Sequence, residues 1–456
     1  MEQQKYDVVV VGAGIGGLGV GALLAHSGYK TLVTEKRDFV GGRFSSYEYE
    51  GFILPTGAVT VHYKGTETEE LFKETGADLD IVDVPGLYYR IEGKDYEMPA
   101  KGALGMGLDI ISKLEADKAK LIGGFAKAMS KEKIMSAFRI GTKEPEKERG
   151  LTFKDWLLQY TDSELAHGIF DTIVGTLAAA HSYEIKASAV FQFFVAMKGF
   201  REVGIPPRGN RVNMENLAKV VKANGDVWTN CEAKSIKVER GTAKGIVVEK
   251  GGQTIEIDSQ MVVSNVGPKA TVGLVGPDKF PEDYLRDIRM KLKPKSVTMG
   301  FVASDRLLWP ESGQPAILMI VGARRITAAI PLSLISPHFA PPGQHLFYVF
   351  GSPPTCEVKM DEEVEQDQIL KDLKEQFPLF EKHGRVLKFD SRDIDHELPE
   401  MRARVGDGMP VETPIKNLYN VGCGSPAPGY TGSNAAAENA KRVAGIVRKQ
   451  IKPGKA

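Results

Sequence analysis

Hydrophobic positions change period along the chain, and each change marks an element. Val8 to Val11 is a short β-branched run suited to one buried parallel strand. A glycine-rich break follows, then an apolar segment compatible with a helix, which Ser27-Gly28 ends after His26. Thr31 to Thr34 predicts a second strand, closing on Glu35. Thr66 to Gly76 reads as a short helix ended by glycine, and Leu87 to Met98 as a hairpin turning at Glu92-Gly93-Lys94. From Ala103 to Phe138, apolar residues including Leu114, Leu121, Phe125 and Met129 recur at helical spacings with lysines between them. Such a segment packs one face on its own domain, or rests as an amphipathic flap on a membrane; packing is the commoner outcome. Thr152 with Asp155 starts another helix. Phe191, Phe193, Phe194 and Phe200 suit an apolar channel or an ordinary core, with the core reading ahead.

The second half alternates more. After the break Gly204 to Asn210, Asn213 is expected to cap a helix with Leu217, Val220 and Val221 inside and Gly225 just past its end. Val227–Thr229, Glu232–Glu239, Ala243–Lys250 and Gln253–Ile257 predict strands, the last two joined by a Gly251-Gly252 hairpin turn. Met261–Ser264 is a further short strand, ended by Asn265 to Pro268. Ser296–Ala303, Ala316–Val321, Ile326–Ile330 and Leu346–Phe350 predict a second sheet, and Asp361–Phe377 an acidic helix. Asn417–Val421 is a last strand, followed by two glycine-rich loops and a helix over Ala435–Arg448, whose Ala436, Ala440 and Ala444 let it lie close to a sheet.

Composition narrows the class. A chain of 456 residues suggests two domains, and 42% hydrophobic with 26% charged residues is ordinary for a soluble fold. A formal net charge of +0 gives no indication of a nucleic-acid partner. Cys231, Cys356 and Cys423 are widely spaced, which predicts neither a metal site nor a disulfide framework and fits a reducing, cytoplasmic compartment. Val8 to Ala25 is uncharged and apolar, but its glycines fit a strand and a helix rather than a membrane span. Peripheral membrane contact is left open, as is the oligomeric state.

The chemistry lies in the glycines. Gly12, Gly14 and Gly17 form G-x-G-x-x-G between the first strand and the first helix. Gly12 allows the tight turn, Gly14 a close approach of backbone to pyrophosphate, and Gly17 close packing of helix on strand. The first N–H groups of the helix, from Ile15 and Gly16 onward, lack intrahelical partners and suit phosphate oxygens. Glu35 closes the second strand at about the twenty-residue spacing of an acid that accepts from ribose hydroxyls. Gly41-Gly42-Arg43 adds a second flexible loop with one fixed positive charge.

This series resembles the N-terminal FAD site of the flavin amine oxidase and phytoene desaturase superfamily. The resemblance implies that Gly12, Gly14, Ile15, Gly16, Gly17, Glu35 and Lys36 bind FAD, with Glu35 on the adenosine ribose and Gly41, Gly42 and Arg43 along the pyrophosphate and flavin side. Related flavoenzymes carry an acid and then glycine where this chain has Pro55-Thr56-Gly57, so the acid is missing; Gly57 and Ala58 remain flavin neighbours by backbone. The strand meander ending in Ser264 to Pro268 also resembles the family's middle, which implies that Ala233 touches adenine and that the turn lies beneath the nucleotide domain. The closing stretch, with Gly422 and Cys423 in one loop and Gly432 and Ser433 opening the last helix, resembles the family's final motif. There the helix N-terminus would face the N1 and C2-carbonyl edge of the flavin, although amine oxidases usually place Glu after the glycine that corresponds to Gly422.

The implied architecture is an α/β fold. A discontinuous Rossmann-like FAD-binding domain comprises 1–62, 205–275 and 395–456, and an inserted α+β substrate domain comprises 63–204 and 276–394, with a helical flap at 103–140. No second G-x-G-x-x-G follows a strand, which argues against a separate NAD(P)H domain. The implied function is an FAD-dependent oxidoreductase that moves hydride between an apolar substrate carbon (polyene, isoprenoid or acyl) and flavin N5. Desaturation, saturation and isomerisation stay open. No acid–base triad is evident; His62, Tyr63, His181 and Arg324 are the candidates if a proton must move, against plainer readings of His62 and Tyr63 as a strand end and of Arg324 as a turn residue. Amine oxidation is the rival within enzymes. A non-catalytic escort-type protein of the same fold is the rival outside them, disfavoured because the cofactor residues are all present.

Overall fold

The valine run Val8–Val11 suits burial on both faces, and strand β1, Lys5–Val11, lies inside a sheet between two parallel neighbours. The protein was analysed as a computed structural model, which describes residues 5–98, 118–137, 150–178, 180–196, 203–293, 295–355, 358–393, 408–427 and 429–454. Strand β2, Thr31–Thr34, pairs with β1 on one side and with Gly225–Trp228 beyond it. On the other side β1 pairs with the far half of a long strand, Gln253–Ser264, which in turn takes Leu418–Asn420. All of these pairings are parallel. The near half of the long strand turns back through Thr242–Lys250 to Cys231–Glu239 as an antiparallel meander. The sheet thus collects strands from the start, the middle and the end of the chain.

The sequence suggested two strands where one runs from Gln253 to Ser264. The polar stretch Asp258-Ser259-Gln260 resembled a break, yet alternation continues through it, with Ser259 buried and its hydroxyl donating to the Met261 carbonyl at 2.9 Å. The helix after the Gly204–Asn210 break starts at Asn210, not after Asn213. Asn213 instead holds the Asp80 backbone from both sides, accepting from its N–H at 2.7 Å and donating to its carbonyl at 3.1 Å. The last helix starts at Gly432 rather than Ala435.

Helix α1, Ile15–His26, is buried all round from Ile15 to Ala25, which explains an apolar run with no polar face. It packs on the C-terminal helix Gly432–Gln450 through small residues: a methyl added at Gly19 would stand 3.0 Å from the Ala440 Cβ. The Tyr29 hydroxyl donates to the Ile451 carbonyl at 3.0 Å, and Gly454 N–H reaches Asp7, so the chain's end is tied to its beginning.

A second sheet runs Gly384–Arg392, Val297–Ser304, His345–Gly351, Ile326–Pro331, Ala316–Ile320, Gly86–Ile91 and Lys94–Glu97. One face carries Tyr89 and Met319 against an aromatic cluster of Phe125, Phe153, Trp156, Phe170 and Phe191, with Phe125 and Trp156 centroids 5.0 Å apart. Phe193 and Phe194 are buried with them, as an ordinary core requires; Phe200 lies outside the described residues. Lys118–Ala137 is the described part of the expected long helix, and its Leu121 and Phe125 pack inward; the rest of 103–140 lies outside the described residues. Thr152 and Asp155 form the expected capping box. Among the described residues no helix is long and apolar enough to cross a membrane, and no cluster of ligands could hold a metal ion.

Candidate cofactor site

The site grows from the end of β1. Gly12 turns the chain with φ 93° while its N–H donates to the Thr34 carbonyl at 2.8 Å. A methyl added at Gly17 would come within 2.0 Å of the Gly12 carbonyl oxygen, so only glycine closes the loop on the helix. Gly14 precedes α1 in an extended conformation and no side chain caps the helix, so its first N–H groups and positive dipole end can receive an anion. Ile15, Gly16 and Gly17 are buried behind that opening.

The Gly41-Gly42-Arg43 loop lies alongside. Gly41 bridges to Gly14, and its N–H donates to the Ala13 carbonyl at 2.7 Å. Gly41 has φ 106°, and a methyl there would strike Met214 and the Phe44 carbonyl. Thr56 donates its hydroxyl to the Gly42 carbonyl at 2.8 Å and accepts from Ser45 N–H at 3.0 Å. Ala58 N–H donates to the Arg43 carbonyl at 3.0 Å, which lays Gly57 and Ala58 against the same loop. Arg43 is half-buried, and its guanidinium makes no hydrogen bond or ion pair among the described residues.

Glu35 is fixed before any ligand arrives. It is 8% exposed, accepts from Ala13 N–H at 3.0 Å and from Arg37 N–H at 3.1 Å, and its backbone pairs with Trp228 and Cys231. A carboxylate offers about four acceptor positions, so two remain for ribose hydroxyls. Lys36 is exposed beside it, and Ala233 lies two residues along the strand that Cys231 begins.

The chain's last loop meets this cradle. Val421 N–H donates to the Ser264 carbonyl at 2.9 Å, and Gly422 follows with φ 101°. Cys423 Sγ lies 3.7 Å from the Gly432 carbonyl, which joins the two glycine-rich loops. Gly432 and Ser433 open the C-terminal helix, again with no side-chain cap. One residue on, Asn434 accepts from both the N–H and the hydroxyl of Thr68 and donates to the His62 carbonyl at 3.2 Å. His62 therefore stands beside the start of this helix. Burial pushes its imidazole down from 6.5 to about 4, so the ring is neutral at physiological pH.

The other three proton-transfer candidates have their polar atoms committed. The Tyr63 hydroxyl donates to Asp83 at 2.6 Å, and burial, with that bond second, raises its pKa. The His181 ring nitrogens lie 3.0 Å from Asp171 Oδ2 and 2.9 Å from the Pro353 carbonyl, and the ring stacks on Tyr183. Burial would raise the Asp171 carboxyl, but the His181 ring and Ser182 donors outweigh it and hold it low. Arg324 forks onto Glu375 and also reaches Asp372, which locks a turn of the second sheet to the helix Glu362–Gln376. Sequence reasoning missed Thr56, Asn434, Asn439 and the role of Asn265. Nothing in a run such as S-N-V-G-P shows which wall an amide will meet.

The residues fit FAD. At Gly14, Gly16, Gly17 and Gly41 an added methyl would meet protein atoms within 2.7 Å, so backbone alone lines the two loops. Two helix N-termini without side-chain caps open at the cradle, and the Arg43 guanidinium has no partner among the described residues. Asn439, fully buried on the last helix, donates to the Gly422 carbonyl at 2.8 Å and leaves its Oδ1 without a partner among the described residues. This fold and cradle define an FAD-dependent oxidoreductase. The profile described as flavin containing amine oxidoreductase matches residues 15–446, and the chain belongs to that family. Among relatives, an uncharacterised protein of Methanocaldococcus jannaschii is 25% identical over 77% of this chain and 79% of its own. The prolycopene isomerase of Daucus carota is 22% identical over 76% of this chain, and the all-trans-retinol 13,14-reductase of Macaca fascicularis 24% over 58%. The chain spans 61% and 48% of those two proteins. Among solved structures, an oxidoreductase from Methanosarcina mazei superposes with a TM-score of 0.80 at 26% identity, over 96% of this chain and 99% of that one.

Proposed function

We propose that this flavoenzyme oxidises or reduces a carbon–carbon bond of an apolar substrate of polyene, isoprenoid or acyl type. Bound FAD supplies the two-electron chemistry, exchanging hydride at its N5. In this reading 1–62, 205–275 and 395–456 hold the cofactor, and 63–204 with 276–394 shape the substrate's place. Glu35 grips the ribose, the α1 N-terminus with Arg43 offsets the diphosphate, and the Gly432 helix start supports the flavin ring. Neutral His62, beside that helix start, is the candidate to take a proton.

The observation that carries the reading is the likeness to a retinol reductase and a prolycopene isomerase, proteins whose names specify apolar polyenes. Anaerobic mixing of the purified yellow protein with a polyene alcohol, a carotene and a primary amine tests it. Bleaching of the flavin by a polyene supports the reading, as does reoxidation of the chemically reduced flavin by one. Bleaching by the amine alone replaces it with amine oxidation.

A further inference from the structure

The turn that ends the long central strand places one carboxamide between the two cofactor loops. Asn265 N–H donates to the Val11 carbonyl at 2.8 Å, which sets the residue directly under the first glycine loop. A methyl added at Gly14 would lie 2.6 Å from Asn265 Nδ2, and one at Gly16 2.7 Å from its Oδ1. On the other side, a methyl at Gly422 would lie 3.0 Å from the same Oδ1. Asn265 Nδ2 also faces the Gly12 carbonyl at 3.4 Å, which distinguishes the two ends of the amide. Asn439 also holds Gly422, donating to its carbonyl at 2.8 Å. The end of a flexible side chain can usually step away from an intruding methyl. This one has Gly12 and Gly14 at its nitrogen and Gly16 and Gly422 at its oxygen, so any displacement presses on another wall of the same cradle.

We infer that Asn265 is a positioning residue that sets the spacing between the N-terminal glycine loop and the Gly422 loop, and through that spacing the retention of FAD. The inference rests on the FAD reading. It gives Gly14 a second reason to be glycine: the space its side chain would need is taken by Asn265. Apart from its own chain neighbours, nothing described but that carboxamide lies within 4 Å of a methyl at Gly14.

A double-mutant cycle on the full chain tests this. The variants are Asn265→Ala, Gly14→Ala and the two combined, each purified with FAD and again after flavin removal. Three readouts apply: the FAD Kd, the melting temperature of the flavin-free protein, and the visible circular dichroism of the bound flavin. Gly14→Ala is expected to weaken FAD by about tenfold or more, from overpacking against the amide. Asn265→Ala is expected to weaken it by about tenfold as the loops lose their spacer, with an altered flavin dichroism and little change in flavin-free melting. The combined variant should bind FAD as Asn265→Ala does, because the methyl then enters open space. Losses that multiply to about a hundredfold overturn the inference, since independent sites add in free energy. So does Asn265→Ala with wild-type Kd and dichroism. Should Gly14→Ala fail to fold alone, recovery of folded protein in the combined variant supports the inference and failure of both overturns it. If the wild-type protein retains no FAD, the cofactor reading itself falls. The cycle in flavin-free melting then decides the steric coupling: a Gly14→Ala deficit must vanish in the combined variant, and its persistence ends the proposal.

Discussion

A carboxylate already holding two backbone N–H groups needs little reorganisation to accept a hydroxyl, and Glu35 is such a group. Replacing it by alanine frees the Ala13 and Arg37 N–H groups and, in the proposed FAD reading, removes the ribose acceptor. Glu35→Ala is therefore expected to weaken FAD binding by about 1–3 kcal/mol through lost charge-assisted bonds, read as FAD content after dialysis; unchanged content removes the assigned role. Such residues were legible in the sequence because backbone geometry dictates them. Gly12, with its positive φ, and Gly17, against the Gly12 carbonyl, admit no side chain, so their spacing carries the message. Thr56 and Asn265 were not legible. A hydroxyl or an amide acquires its task only when distant segments place a particular carbonyl before it, as the fold does with the Gly42 carbonyl.

At the scale of elements, periodicity located most strands and helices, and the failures share a cause. Polar residues inside a strand, or short polar caps near a helix start, were read locally when tertiary partners decided them. Asn213 shows this: its amide serves Asp80, far away in sequence, and caps nothing. The Arg324-Arg325 turn was expected as a turn, but the partners that hold it are tertiary. Asp372, fully buried on the helix Glu362–Gln376, accepts from the backbone N–H groups of Arg324, Arg325 and Ile326 at 3.0, 2.7 and 3.0 Å. Arg325 also donates to Glu365 at 2.5 Å on the same helix. Removing the Asp372 carboxylate strands three backbone donors, while Arg324 keeps its fork onto Glu375 and Arg325 its bond to Glu365. Asp372→Ala is expected to cost about 3–5 kcal/mol of folding stability, because buried backbone donors are left without an acceptor. Urea unfolding measures it, and a loss below about 1 kcal/mol would place the turn's stability elsewhere.

For the whole molecule, the joining of chain start and chain end makes stability sensitive to groups at the seam, and His62 is the clearest. Asn434 on the last helix binds its carbonyl, and burial holds its imidazole near 4 against an ordinary 6.5. In the unfolded chain that ring takes a proton as pH falls through 6.5, while in the fold it stays neutral until about 4. The unfolded state therefore binds more protons across that window. Stability is fully present above pH 6.5 and drains away as pH falls toward 4. The loss from this one ring approaches about 2 kcal/mol at pH 5. Glu438, on the same helix, works in the opposite sense: burial raises its carboxyl, so it adds stability at low pH and loses it as pH rises. The raw pH profile mixes the two, and the difference between wild type and His62→Gln isolates the ring. Unfolding free energies at pH 7 and pH 5 should show wild type losing about 2 kcal/mol more than the variant over that interval. Parallel profiles would mean that the imidazole reaches water, and that the start of the last helix is more open than its contacts with His62 and Thr68 indicate.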